Sequence, residues 1–129
     1  MSEGLWQKKL EKKIGGGGFV FPTGTAMGVF DIGTYKQNKK LEFYEIKPKI
    51  LKLGALLKPE QKKWALDWMK LITTKLVYYD EKNFVFYHSK PILLTKKNIE
   101  QYYEKPPSEK MKPNIFIYLQ YVWSIWDLK

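Results

Sequence analysis

The stretch "FYEIKP", Phe43 to Pro48, sets an acid and a base two residues apart inside an aromatic and aliphatic run. Read as a strand, it alternates its side chains between two faces, so Glu45 and Lys47 project the same way. An ion pair on a solvated face and one half of a metal-dependent active site both fit that pattern. The run extends back to "KLEFYEIK" (residues 40–47), and "VFDIGTY" (Val29 to Tyr35) also has strand composition, with the polar "KQNK" between them as a turn. A hairpin centred on Asn38 sets Asp31 directly across from Glu45, and opposed residues have Cβ atoms about 4.5–5.5 Å apart. Two carboxylates at that separation repel each other unless something positive joins them. Asp31 is also the lone acid of "GVFDIG", where an unpaired charge costs free energy.

Outward from this hairpin the chain alternates elements. Ser2 is placed to cap a helix from Glu3 to Ile14, with Trp6, Leu10 and Ile14 on one apolar face. "GGGG" (Gly15 to Gly18) ends it, "FVFP" (Phe19 to Pro22) is a short strand, and "TGTAMG" is a loop. After a lysine-bearing connection, Pro59 opens a predicted helix, "PEQKKWALDWMKLI" (residues 59–72). "KLVYYD" and "NFVFYH" (residues 75–80 and 83–88) read as strands joined by a tight turn at Glu81 and Lys82. "KKNIEQYYEK" is a short helix, and Asn114 to Leu128 an aromatic one. The order predicts a single α/β domain over residues 1–129, with a core region in 1–90 and a C-terminal helical extension in 91–129.

The 129 residues carry a formal charge of +10 from 23 lysines and no arginine. Such a surplus points to a polyanionic partner, with nucleic acid foremost. Bidentate guanine readout by arginine is impossible here, which disfavours strong sequence specificity, and lysine point charges suit recognition of backbone and shape. Codon bias in an AT-rich genome explains lysine over arginine but not the net excess. The absence of cysteine excludes disulfides and thiolate zinc sites and fits a reducing compartment. With His88 as the one histidine, a metal would have to be held by carboxylates, which favours Mg²⁺ or Mn²⁺. The longest apolar run, Ile115 to Trp126, is about half of a membrane span, so the expected setting is soluble and cytoplasmic, with no membrane partner.

Asp31, Glu45 and Lys47, spaced D-x13-E-x-K, meet the needs of metal-assisted phosphodiester hydrolysis. A cation held by the acids would polarise the scissile phosphate, and the lysine would stabilise charge developing on its oxygens. Here the chain resembles a family. Asp31 with "EIK" (Glu45, Ile46, Lys47) looks like the motif of the PD-(D/E)xK nucleases. "GVFDIG", "GALLKPEQKKW" (residues 54–64) and "SEGLWQKKL" (residues 2–10) are similar to segments of the virus-type replication-repair nuclease (VRR-NUC) domains. "GFVFPTGTAMGVFDI" (residues 18–32) is similar to archaeal Holliday junction resolvases of the same superfamily. The resemblance covers roughly residues 2 to 90. It departs at Phe30, where the family has Pro, and at Lys58, where it often has Ser; the C-terminal third has no counterpart.

The resemblance implies a restriction-endonuclease-like mixed sheet flanked by helices, here with an extra C-terminal aromatic helix. It implies Asp31, Glu45 and the Ile46 carbonyl as ligands of Mg²⁺ or Mn²⁺, and Lys47 as the catalytic lysine. Glu3 would complete the site from the first helix, with Glu11 as its rival. Gln61 matches the family's Gln and lies on a predicted helical stripe with Ala65, Trp68 and Ile72, where a buried amide must find hydrogen bonds. A helix-terminal Glu and a first-turn Gln are also common with no role in a site.

Thr23 and Thr25 would contact the scissile strand as the resolvase loop does, or simply form a turn. Lys49, Lys52, Lys62 and Lys63 would follow the phosphates, or form a solvated face. The glycine run is better read as a helix stop than as a phosphate cradle. His88 reads as structural. Tyr78, Tyr79, Tyr102 and Tyr103 are placed in the core more readily than under unpaired bases. The expected function is a Mg²⁺-dependent, structure-selective DNA endonuclease that acts on branched DNA as a homodimer. A flap or single-strand nuclease, a non-catalytic nucleic-acid-binding protein on a nuclease fold, and a basic structural protein of a virus or mobile element are the alternatives.

Overall fold

The computed structural model describes residues 3–14, 19–22, 29–37, 39–48, 56–82, 85–86 and 91–103. Helix α1 spans Glu3–Ile14. Strands β1 (Phe19–Pro22), β2 (Ile32–Tyr35) and β3 (Glu42–Pro48) follow. Then come helix α2 (Pro59–Trp68), strand β4 (Thr73–Asp80) and the short β5 (Val85–Phe86) and β6 (Ile92–Leu93). A 3-10 turn at Ile99–Tyr102 closes the described chain. The protein is mixed α/β, its sheet ordered β1-β2-β3-β4-β5 with β6 also on β4. Pro22, which has no N–H to give, ends the edge strand β1, where a proline is tolerated.

β2 and β3 pair antiparallel with Ile32 opposite Tyr44 and Thr34 opposite Glu42, the register centred on Asn38. β3 and β4 run parallel, with Glu45 beside Leu76 and Lys47 beside Tyr78. Parallel neighbours need a long crossover, and the segment carrying α2 supplies it. The N-terminus of α2 therefore sits by the C-terminal end of β3, the end at which open α/β sheets present their binding sites.

Alternation along the strands divides the core in two. On the α1 face, Trp6 and Leu10 pack with Ile32, Tyr44, Ile46, Val77 and Tyr79. Trp6 stacks on Tyr79 with ring centroids 5.0 Å apart and meets Phe86 edge-on at 5.3 Å. Such pairs add about 0.5–1.5 kcal/mol each beyond the area they bury, so this one indole fastens α1 to the sheet. On the α2 face, Phe30, Ala65, Leu76 and Tyr78 form the second cluster. Leu94, Ile99 and Tyr102 join it, so residues 91–103 are part of the core and not an appendage to it.

Several expectations need correction. The second strand begins at Ile32, because Asp31 is a bend whose polar groups bond to side chain and backbone across the pair. Helix α2 stops at Trp68, four residues short of the expected end, where Leu71 and Ile72 both donate to the Trp68 carbonyl and Thr73 donates to Leu41. β-branched Ile72, Thr73 and Thr74 favour the extended chain there, and β4 starts two residues early. Trp68 faces outward at 46% exposure, and of the expected stripe Ala65 and Ile72 are the buried members. Four residues, not two, separate Asp80 from its partner Val85. The described part of "KKNIEQYYEK" holds a 3-10 turn at Ile99–Tyr102 in place of the expected helix, and β6, unexpected, pairs its two residues with β4. The glycine run, the "TGTAMG" loop, His88 and the aromatic segment 114–128 lie outside the described residues. Among the described residues no helix is long and apolar enough to cross a membrane.

Candidate metal-dependent active site

β3 is a central strand buried on both faces, a setting that ordinarily selects unbroken apolar sequence. Its second half nevertheless buries Glu45 and Lys47, at 4% and 6% exposure. Their surroundings compensate for this. Asp31 and β3 clasp each other: the Asp31 N–H donates to Glu45 Oε1 at 3.2 Å, and Asp31 Oδ2 accepts from the Ile46 N–H at 3.0 Å. Phe30 holds this bend down, fully buried and packed on Trp64 of α2 with ring centroids 5.2 Å apart.

Gln61, in the first turn of α2, joins the other groups. Its Nε2 donates to Glu45 Oε2 at 2.7 Å, while its Oε1 accepts from Lys47 Nζ at 3.3 Å and from the Lys58 N–H at 3.0 Å. Turning the amide over would set its NH₂ against two donors and its oxygen against a carboxylate, so the network specifies the orientation. The Lys58 contact is half of a capping box, in which a Gln at the third helical position satisfies the backbone at the helix start. Lys47 Nζ lies 3.4 Å from Glu45 Oε2. An ammonium has three N–H groups. Among the described residues Glu45 and Gln61 take two, which leaves one for a further acceptor.

Burial pushes the Glu45 carboxyl up to about 8. The Lys47 charge works against this, the Asp31 carboxylate adds to it by repulsion and by a hydrogen bond, and the Gln61 amide works against it. The pair is thus short of positive charge. The two carboxylates offer hard oxygen donors of the kind Mg²⁺ and Mn²⁺ take, the remaining positions being left to water or substrate. The residues fit such an ion. Among the described residues no group of three or more His, Cys, Asp or Glu gathers anywhere, so two acids are the full described complement.

Compared with protein-family models, curated proteins and solved structures, the chain matches none.

The structure thus brings Asp31, Glu45, Ile46, Lys47 and Gln61 together from β3 and the starts of β2 and α2. Glu3 opens α1, and its side chain lies outside the described residues, as do Thr23, Thr25, Lys49 and Lys52. Glu11 is half-buried on α1, and no described contact ties it to the two acids. Lys62 is engaged elsewhere: it pairs with Glu100 and lies 4.0 Å over the Tyr103 ring, binding α2 to the 3-10 turn. Lys63 is exposed. Tyr78, Tyr79 and Tyr102 are core residues. The sequence reading passes over Asp80, an acid only 7% exposed. It lies two residues beyond Tyr78, the partner of Lys47, and so on the same face of the sheet. The signal was an acid ending the otherwise apolar "LVYYD".

Proposed function

We propose that this protein is a divalent-metal-dependent DNA endonuclease with a restriction-endonuclease-like fold, selective for branched DNA such as four-way junctions and active as a homodimer. The observation that carries the reading is that Glu45 and Lys47 share the Gln61 amide at one end of the sheet while Asp31 clasps Glu45 and the Ile46 N–H beside them. A surface ion pair needs no bridging amide and no second acid, and its members are not both buried as Glu45 and Lys47 are.

In this reading Asp31 and Glu45, with the Ile46 carbonyl, hold Mg²⁺ or Mn²⁺. When bound, the ion would supply Lewis-acid polarisation of the phosphate and a more acidic water. Lys47 directs its remaining N–H at a phosphate oxygen and stabilises the charge that grows there. Gln61 keeps the Lys47 ammonium beside Glu45, so both are placed before substrate arrives. The lysine surplus draws in the polyanion, and the lack of arginine leaves backbone and branch shape as what is read. A dimer presents two sites related by a two-fold axis, as a junction presents two equivalent phosphates.

The test is a gel-shift competition in Ca²⁺ between four-way junctions and linear duplex of equal length, followed by cleavage mapping in Mg²⁺. Junctions should compete better, and paired symmetric nicks should appear on opposing strands. If about six lysines contact phosphates, log K should fall with log salt at a slope near −5. Equal affinity for both DNAs, with cuts confined to single-stranded ends, refutes junction resolution in favour of a flap nuclease. Binding without any cut in Mg²⁺ or Mn²⁺ refutes the nuclease.

A further inference from the structure

The opposite end of the sheet carries a second surface that the active-site reading does not use. Three connections meet there: the β2–β3 turn, the α2–β4 turn and the segment after β6. They present Lys39, Lys40, Lys70, Lys96 and Lys97, all exposed. Lys40 Nζ donates to the Lys70 carbonyl at 3.4 Å, and Lys40 and Lys96 line one shallow cavity of about 250 Å³. The acids nearest in the chain are Glu42, Asp67 and Glu100, and of these Glu42 pairs with Lys75 and Glu100 with Lys62, outside the group of five.

Beside these cations lies an aromatic hollow, also of about 250 Å³, lined by Leu41, Phe43, Trp64, Trp68 and Ile72. Ile72 belongs to both cavities, so the apolar hollow and the basic one adjoin. Phe43 meets the Trp64 ring edge-on at 5.2 Å, a fixed aromatic wall. Trp68 forms the open side at 46% exposure, and Leu71 beyond it is 67% exposed. A tryptophan facing solvent among lysines is poorly placed for stability alone. Charge and ring together match one ligand chemistry. Single-stranded nucleic acid offers flat, apolar bases for stacking and phosphates at short intervals for ammonium groups, and proteins that bind it combine these two features.

We propose that this end of the sheet binds a single-stranded nucleic-acid segment, with a base stacked on Trp68 and neighbouring phosphates held by Lys40, Lys70 and Lys96. Leu41 immediately precedes β3 and is four residues from Glu45, roughly 13 Å at the strand rise. The surface therefore lies within a few nucleotides of the candidate active site. It would hold an unpaired strand leaving a branch. The binding itself does not depend on catalysis.

The experiment is fluorescence anisotropy of a labelled oligothymidylate with the full chain in EDTA, where cleavage plays no part and failure of the nuclease reading changes nothing. Trp68→Ala should weaken binding by roughly 5- to 100-fold, the range of loss of one base–aromatic stack. Trp68→Tyr should restore most of it. Lys40→Ala combined with Lys70→Ala, both at exposed positions, should flatten the salt dependence. Wild-type affinity in Trp68→Ala together with an unchanged salt slope in the lysine pair overturns the proposal. So does loss of binding to phosphatidylserine vesicles, in place of oligonucleotide, on the same substitutions.

Discussion

Lys47→Ala should leave DNA binding nearly intact and reduce cleavage in Mg²⁺ by roughly 10²- to 10³-fold, the loss seen when a preorganised donor to developing charge is removed. The two readouts separate because affinity for a polyanion is shared among many of the 23 lysines, whereas among the described residues only Lys47 stands within 3.4 Å of Glu45 Oε2 and 3.3 Å of Gln61 Oε1. Its side chain is nearly buried, so it adds little to the field that attracts DNA and acts at short range. The substitution has a second consequence. Lys47 opposes the rise in the Glu45 pKa, and without it a buried carboxylate loses its cation, which is destabilising. The variant should therefore melt earlier than wild type, and rates should be compared well below both transitions. Lys47→Arg should not rescue cleavage, because a planar guanidinium does not reproduce a point charge in this position. Cleavage by Lys47→Ala at the wild-type rate would remove the lysine from the chemistry.

Glu45→Gln should make the metal-free protein more stable at alkaline pH and less responsive to divalent ions. The folded carboxyl is raised from the ordinary 4.5 to about 8 by burial first. Through that window the folded chain holds a proton that the unfolded chain has released. The unfolded state binds fewer protons, so stability falls as pH rises from about 4.5 and levels off above about 8. A shift of this size corresponds to a few kcal/mol at about 1.4 kcal/mol per unit. Gln cannot ionise, so the difference between variant and wild type should grow across the window by that order. Mg²⁺ or Mn²⁺ should reverse the sign for wild type, because the ionised acid is the form that binds it. Thermal melts of both proteins, with and without the ion and across this pH range, measure the effect. Parallel curves for the two proteins would show that Glu45 is not the buried titrating acid.

The site was legible in the sequence to the extent that it depended on local register. Asn38 marks the hairpin centre because a polar "KQNK" separates two apolar runs, and period two then places Asp31 by Glu45 and aligns Lys47 with it. The helix start was equally readable, since proline opens it and Gln61 falls in its first turn. Signals weakened where tertiary contacts compete with local pattern. "MKLI" continues the helical composition, yet a strand beginning at Thr73 claims the backbone, and Trp68 faces solvent. Parallel pairing of β3 with β4 leaves no local mark, because it is set by the crossover between them. Ile92 and Leu93 are too short a run to announce a strand, and only the open edge of β4 makes them one. The network through Gln61 joins residues fourteen to sixteen apart, and no spacing rule in the chain foretells that its amide oxygen takes both Lys58 and Lys47.

The central claim is that Asp31 and Glu45 together hold a divalent ion. Calorimetric titration of Mn²⁺ into the wild-type chain and into Asp31→Ala, near neutral pH and without DNA, tests it most directly. Wild type should bind one ion per chain, and Asp31→Ala, with half of the donor pair removed, should show little or no heat of binding. Equal binding by the two proteins, or none by a folded wild type, would contradict the account.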